Sequence, residues 1–421
     1  MAALFAQSGH FVYCIDKNIN VLESLHNGTA PVGEPGLQEL VAANKSRLWP
    51  VKQYAVVNAV ANSEWAFIIV PTPSNALGAF SNEYVLQALQ PIGLALKDGA
   101  RTHVVVTCTV SPKSCDDVLI PKLQKISGKC AGIDFGFSYA PHFIALGSVI
   151  ANLRNPDFIM IGSVQTRWAD ELADFYYDLH GRLGEPRPKI AKMNLVNAEI
   201  TKLSLNCAVT QKISLANQIG TLCEHIPGAD AHVVCKAIGL DQRIGPKYLT
   251  PSVPYGGPCF VRDQRAMQAA GLMVGIHMPL SHATDQVNEQ QLAKFAQLIM
   301  DCKPEQIAIL GLSYKVDTPV TDESVATRLI PLLSTITRRP INLHDPEAIS
   351  LIGGDQWDTP QRACQDADAV LIATAWPQYR DIRPEWIKPS ALILDLWNVL
   401  DGLDDFRTYR RWVPGKGFVQ A

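Results

Sequence analysis

The chain has 421 residues, enough for two or three domains. Lys and Arg total 37 against 40 Asp and Glu, a net charge of −3 that gives no basic footprint for nucleic acid or an anionic membrane surface. Hydrophobic residues at 47% and charged residues at 18% indicate a globular protein rather than a disordered or coiled-coil one. No apolar run reaches membrane-spanning length, and residues 1–6 lack the cationic start of a secretory signal. A cytoplasmic protein without nucleic-acid or membrane partners is expected. The ten cysteines are scattered, with no C-x-x-C and no metal-ligand spacing, so reduced thiols and no metal site are expected.

In chain order, short apolar runs alternate with helical periodicity. Residues 11–15, 65–70, 103–107 and 158–161 read as strands, and 18–26, 82–97 and 112–126 as helices. This rhythm is that of βαβ units around a parallel sheet. Asp16 ends the first strand. An acid there can hydrogen-bond the adenosine ribose of NAD, although an Asp after a strand more commonly makes a turn or caps a helix. Only one glycine, Gly9, precedes it, where a dinucleotide fold places a glycine loop about twenty residues upstream.

The middle of the chain, about 190–300, reads as almost wholly helical. Residues 194–225 form a long apolar helix on which Glu199, Lys202, Asn206 and Thr210 line one face. That stripe is either a solvated face or the wall of a pocket. Residues 244–260 are irregular and rich in Pro and Gly, and a loop of that length inside a domain is usually functional. It runs into Tyr255-Gly256-Gly257-Pro258-Cys259-Phe260-Val261-Arg262-Asp263. The glycines allow close backbone approach to a ligand. Cys259 stands before a helix expected over 261–270, where a thiol becomes a competent nucleophile, and Asp263 one turn on can accept a proton. The plainer alternative is a turn with a buried cysteine. Strands return at 306–310, 340–343, 367–373 and 391–394, with a helix over 323–336, as a second α/β domain.

Gly256-Gly257-Pro258-Cys259-Phe260-Val261-Arg262-Asp263, the preceding Glu199, Lys202 and Asn206, and Gly311 to Lys315 after a strand together resemble the UDP-glucose/GDP-mannose dehydrogenase family. Val-Gly-Glu-Pro-Gly-Leu from Val32, Val-Pro-Thr-Pro from Val70, Thr109-Val110-Ser111-Pro112 and Asn155-Pro156-Asp157 follow the family's order, so the resemblance covers nearly the whole chain. It implies two Rossmann-like doubly wound domains, α/β in class, joined by a long central helix and a helical dimerisation segment. The corresponding boundaries are 1–190 for NAD binding, 191–302 for the central domain with the cysteine, and 303–421 for the UDP-sugar domain. It further implies a homodimer acting on a nucleotide sugar, UDP-glucose or a UDP-N-acetylhexosamine first, in polysaccharide precursor synthesis. Two NAD molecules in succession would take hydride from the sugar C6, converting an alcohol to a carboxylate through a cysteine thiohemiacetal and thioester.

By residue, the resemblance makes Cys259 the nucleophile and Lys202 and Asn206 the groups that stabilise the C6 oxyanion. Asp263 would handle protons through a water that Thr109 helps to position. Asp16, Thr72, Thr109 and Arg262 would contact the cofactor. Phe143, Ile144, Lys202, Asn206, Arg243, Tyr248, Leu249, Gly256 and Lys315 would contact the substrate, with Arg243 reaching across the dimer interface.

The chain departs from the family pattern in four places. Pro141-His142-Phe143-Ile144-Ala145-Leu146-Gly147 lacks both glutamates of the usual Pro-Glu-Phe-Leu-x-Glu-Gly, so thioester hydrolysis is expected to be slow or to involve His142. Asp322 and Trp397-Asn398 stand where arginines are common. The first strand and the glycine loop of the N-terminal domain are missing, so its sheet should show a break. Two competing readings follow: a non-catalytic UDP-sugar-binding homologue, or a two-electron dehydrogenase of the hydroxy-acid type, which would have no use for Cys259.

Overall fold

The computed structural model describes residues 1–403, 406 and 409–419; residues 404, 405, 407, 408, 420 and 421, within the expected C-terminal domain, lie outside the described residues. The chain divides into two compact units, Met1–Ser204 and Leu205–Ala421.

In the N-terminal unit the strands are β1 (Val12–Ile15), β2 (Leu48–Val51), β3 (Trp65–Ile68), β4 (His103–Val106), β5 (Phe137–Tyr139), β6 (Ile159–Ser163) and β7 (Ile190–Met193). They form two separate sheets: a parallel β1-β2 pair, and a five-stranded sheet of order β3-β4-β5-β6-β7 in which only β5 and β6 run antiparallel. The expected break in the sheet is thus present. The short helix Ala2–Gln7 packs on both sides of it. Ala3 and Ala6 cluster with Cys14 and Leu48 of the pair, while the Phe5 ring lies 5.0 Å from that of Phe67 on β3. Strand β4 is buried throughout, as its unbroken Val104-Val105-Val106 run requires of a strand covered on both faces.

Sequence periodicity missed β2, β5 and β7. Strand β2 carries Pro50, and β5 and β7 are short runs with a polar Ser138 or Lys192 inside, so none shows an apolar stretch of ordinary strand length. The helix expected over 112–126 begins as a π-helical turn, Cys115–Leu119, before continuing as Ile120–Ser127.

The second unit holds β8 (Ile307–Leu310), β9 (Asn342–His344), β10 (Asp355–Gln356), β11 (Ala369–Ile372), β12 (Leu392–Asp395), β13 (Arg410–Val413) and β14 (Gly417–Val419). Their order is β10-β9-β8-β11-β12-β13-β14, parallel except for the last pair. Renumbered from β8, that is the 3-2-1-4-5-6 order of a doubly wound dinucleotide-type sheet with one antiparallel strand added. The carboxylate of Asp345, just past β9, fastens the turn after β8. Its Oδ2 accepts from Leu312 N at 2.7 Å, Ser313 N at 3.0 Å, Ser313 Oγ at 3.1 Å and Trp376 Nε1 at 3.2 Å. Its Oδ1 accepts from Glu347 N and Ala348 N.

The long helix spans Leu195–Glu224. After Glu224 the second unit continues through helices Ala231–Ile238, Gly257–Met273 and Pro279–Met300 before its sheet begins.

Candidate active site

The polar stripe of the long helix is not a solvated face: Glu199 and Thr210 are fully buried, and Lys202 and Asn206 are each 8% exposed. In the first unit, Glu199 accepts from Lys113 N at 2.6 Å and Cys115 N at 2.8 Å. These amides follow the Thr109-Val110-Ser111-Pro112 turn, so a helix residue fixes the loop that carries Thr109. Burial raises the Glu199 pKa despite these donors. The Lys202 ammonium lies 4.7 Å from the centroid of the Phe143 ring, which packs at 5.0 Å against Phe158. Ile144 is exposed.

Thr72 and Thr109 lie beyond the carboxyl ends of β3 and β4, which pair in parallel with Ile68 opposite Val106. Asp16 is exposed past the end of β1, where its Oδ1 accepts from Asn18 N at 2.8 Å; Asn18 in turn caps the helix Ile19–Asn27. The carboxyl ends of parallel strands are where doubly wound sheets bind nucleotides. An exposed carboxylate at the end of β1, and hydroxyls beyond β3 and β4 of the separate five-stranded sheet, are acceptors and donors of the kind NAD can use.

His142 does not stand ready as an acid. Its Nε2 lies 3.4 Å from the Tyr176 hydroxyl, and its ring lines a small cavity of about 20 Å³ with Phe5, Ile159 and His180. Desolvation, and then the positive charges of the N-terminus and Lys202, push its pKa down to about 3, so the ring is neutral at ordinary pH.

In the second unit the cysteine helix starts at Gly257, four residues before the sequence expectation. Pro258 falls in its first turn, where a missing N–H costs nothing, so Gly-Gly-Pro belongs to the helix start rather than to the loop. Cys259 is therefore the third helical residue, and it is exposed rather than buried. One turn on, Asp263 is fully buried and its Oδ2 accepts from Asn206 Nδ2 at 2.6 Å. Its Oδ1 lies 3.4 Å from both Nε and Nη2 of Arg262. Desolvation, and then the charge of Asp263, push the thiol of neighbouring Cys207 up to about 12, which keeps it inert.

The space left by the two glycines is occupied by this chain's own loop. A Cβ on Gly256 would stand 2.2 Å from the Glu323 carbonyl oxygen, and one on Gly257 2.7 Å from the Tyr314 ring. Gly257, at φ +80°, also donates to Asp322 O at 3.0 Å. Lys315 follows Tyr314, its ammonium 6.0 Å from that ring. Arg243 is exposed and pairs with Asp241 at 2.6 Å. Tyr248 is exposed at φ +64°, whereas the side chain of Leu249 is buried with Ala216 and Cys235. Sequence reasoning missed Glu199's grip on the Thr109 loop, Asp345, and three carboxamides, Asn217, Asn288 and Gln291, described below. Asn288 and Gln291 could have been noticed as polar residues one turn apart on a helix. Among the described residues no His, Cys, Asp and Glu cluster could hold a metal, and no helix is long and apolar enough to cross a membrane.

Two doubly wound-type segments flanking helices, with an exposed thiol at a helix start, describe a nucleotide-handling oxidoreductase. Comparison with known proteins agrees. Residues 1–180 match the NAD binding domain of the UDP-glucose/GDP-mannose dehydrogenase family, residues 196–290 its central domain and residues 308–402 its UDP binding domain. A UDP-glucose 6-dehydrogenase of Haloferax volcanii is 31% identical over 398 residues, covering 92% of this chain and 90% of that protein. A GDP-mannose 6-dehydrogenase of Pseudomonas savastanoi pv. phaseolicola is 29% identical over 341 residues, 79% of this chain and 75% of that one. The solved UDP-glucose dehydrogenase of Pyrobaculum islandicum superposes with a TM-score of 0.87 at 29% identity, over 99% of this chain and 94% of that one. The chain belongs to the UDP-glucose/GDP-mannose dehydrogenase family. It is an NAD-dependent nucleotide-sugar 6-dehydrogenase.

Proposed function

We propose that the substrate is a UDP-sugar, with UDP-glucose the first candidate, and that its C6 alcohol is oxidised to the uronic acid in two stages for polysaccharide precursor synthesis. The carrying observation is an exposed Cys259 in the first turn of its helix, with Asp263 one turn on held by Asn206. The similarity to UDP-glucose dehydrogenases supports the choice of sugar nucleotide.

NAD, when bound, supplies a hydride acceptor for each stage. The protein's residues manage the rest. In the first stage C6 loses a hydride and its hydroxyl a proton, which Asp263 takes through a water, giving the aldehyde. The Cys259 sulfur then adds to that carbonyl, and Lys202 and Asn206 stabilise the oxyanion with a charged and a neutral donor. Loss of the second hydride leaves a thioester. Water, positioned by Thr109 and relieved of a proton by Asp263, releases the carboxylate and restores the thiol. Asp16, Thr72, Thr109 and Arg262 contact the cofactor; Phe143, Ile144, Arg243, Tyr248, Leu249 and Lys315 contact the nucleotide sugar, Leu249 through its backbone, whereas Gly256, closed off by the 323 loop, serves the turn instead. The division 1–190, 191–302 and 303–421 is retained for these roles. A homodimer that takes Arg243 to a neighbouring subunit is supported by exposed Leu215 and Leu222 on the long helix and Val233 on the next. A cytoplasmic reaction is part of this reading.

A spectrophotometric assay over UDP-glucose, UDP-N-acetylhexosamines and GDP-mannose tests the reading. Two NADH per uronic acid are expected with UDP-glucose, none of the acid with Cys259→Ser, and a Cys259 acyl adduct in mass spectra of the wild type, since positions 142 and 146 hold no glutamate and burial makes His142 a weak base. Full uronic-acid formation by Cys259→Ser refutes the covalent mechanism.

A further inference from the structure

The segment leading into the cysteine helix has no regular secondary structure, yet five of its backbone groups are paired with buried carboxamides. Asn217 accepts from Ser252 N at 2.8 Å and donates to Val253 O at 3.0 Å. Gln291 donates to Ser252 O at 2.6 Å. Asn288 accepts from Tyr255 N at 2.7 Å and donates to Tyr255 O at 3.0 Å. All three carboxamides are at most 3% exposed. The Tyr255 hydroxyl donates to Asp285 Oδ1 at 3.2 Å, so the Pro279–Met300 helix holds this residue at both backbone and side chain.

A carboxamide offers a donor and an acceptor side by side, as a neighbouring strand would, and it does so without a charge. A carboxylate or an ammonium at position 288 would meet one of the two Tyr255 groups with the wrong polarity. On the far side of Tyr255, Gly256 and Gly257 are pressed against Glu323 O and Tyr314 with no slack for readjustment. The backbone is therefore gripped before and after the helix cap, and the place of the third helical residue follows from those two grips.

We propose that Asn288, assisted by Asn217, is a positioning residue for Cys259: its amide fixes the Tyr255 backbone and thereby the thiol's place at the helix start. This rests on the reading of Cys259 as the nucleophile. Small displacements of a reacting group cost rate steeply, so the thiol-dependent stage feels the loss of the grip and the alcohol oxidation, which makes no bond to sulfur, does not.

The test uses the full chain with NAD and the most active sugar of the panel, and reads two quantities in Asn288→Asp and Asn288→Ser. The first is the rate of aldehyde-to-acid conversion relative to alcohol oxidation, expected to fall about tenfold. The second is the pH profile of Cys259 alkylation by iodoacetamide, followed by peptide mass spectrometry and judged in Asn288→Ser, which adds no charge of its own, and it is expected to shift as the thiol is displaced. A fall of both oxidation stages by the same factor, or an unmoved alkylation profile in a folded variant, overturns the proposal. If Asn288→Asp does not fold, Asn288→Ser, which keeps a short polar group, carries both readouts. Cys259→Ser is run beside them. Should it retain acid formation, the nucleophile reading and this proposal fall together; should it be inactive while the Asn288 variants match wild type, this proposal alone falls.

Discussion

Gly256 shows how one residue can be required by its surroundings rather than by its own dihedrals. Its φ of −141° is open to any amino acid, but a Cβ would stand 2.2 Å from the Glu323 carbonyl oxygen, a backbone atom that cannot swing aside. Gly256→Ala is therefore expected to lose about 1–3 kcal/mol, the usual cost of overpacking, measured by urea unfolding. The displaced turn also carries Cys259, so acid formation should fall further than stability alone explains. A variant as stable and as active as wild type would show that the 323 loop yields. The sequence announced two glycines beside a cysteine, and hence close approach by something. It could not say that the approaching group is the chain's own loop, because Glu323 lies 67 positions away and no local pattern links it to Gly256.

At the scale of elements, the strands visible beforehand were those with an apolar run, whether fully buried as in β4 and β8 or partly exposed as in β1 and β3. β4 and β8 are unbroken apolar runs, whereas β2, with its proline, and the two-residue β10 have no such signal. The start of the cysteine helix was read late because Gly-Gly-Pro has the composition of a loop. What joins strands to their turns was also hidden, since a single acid after β9 gives no hint of how many amides it will collect. Asp345→Asn replaces one acceptor oxygen by an NH2 that faces N–H donors at 2.7 to 3.0 Å on either side. At least one buried amide then goes unpaired, and the loss is expected to be about 2–4 kcal/mol. Urea midpoints measure it, and UDP binding by calorimetry should weaken in parallel, since the turn lies in the segment matching the UDP binding domain. An unchanged midpoint would mean that the turn after β8 holds itself.

For the whole molecule, acid should unfold the protein partly through His103. The ring stacks on Trp65 with centroids 4.8 Å apart and its Nε2 bonds Ser138 Oγ at 2.9 Å; the side chain is 1% exposed, and burial drives its pKa down to about 3. Above pH 6.5 the folded and unfolded chains are both neutral at this ring and it adds no pH dependence. Between 6.5 and 3 the unfolded chain binds a proton that the folded chain refuses, so stability falls as pH drops. The loss is about 2 kcal/mol from pH 6.5 to 5, at about 1.4 kcal/mol per unit. His103→Gln should remove that part of the slope, as seen in the difference between urea midpoints at pH 7 and pH 5; an unaltered slope would assign the acid sensitivity elsewhere. The two α/β portions of the chain also differ in one acid each. Asp16 follows β1 and Asp345 follows β9, each at the carboxyl end of a strand in a parallel pair. Asp16 is exposed and lends one oxygen to a turn, whereas six donors converge on Asp345. A carboxylate has about four lone-pair directions, so the second acid has nothing left for a ribose diol. Of these two strand-end acids Asp16 keeps lone pairs unspent, so a ligand hydroxyl arriving from solvent would find an acceptor at the first and none at the second.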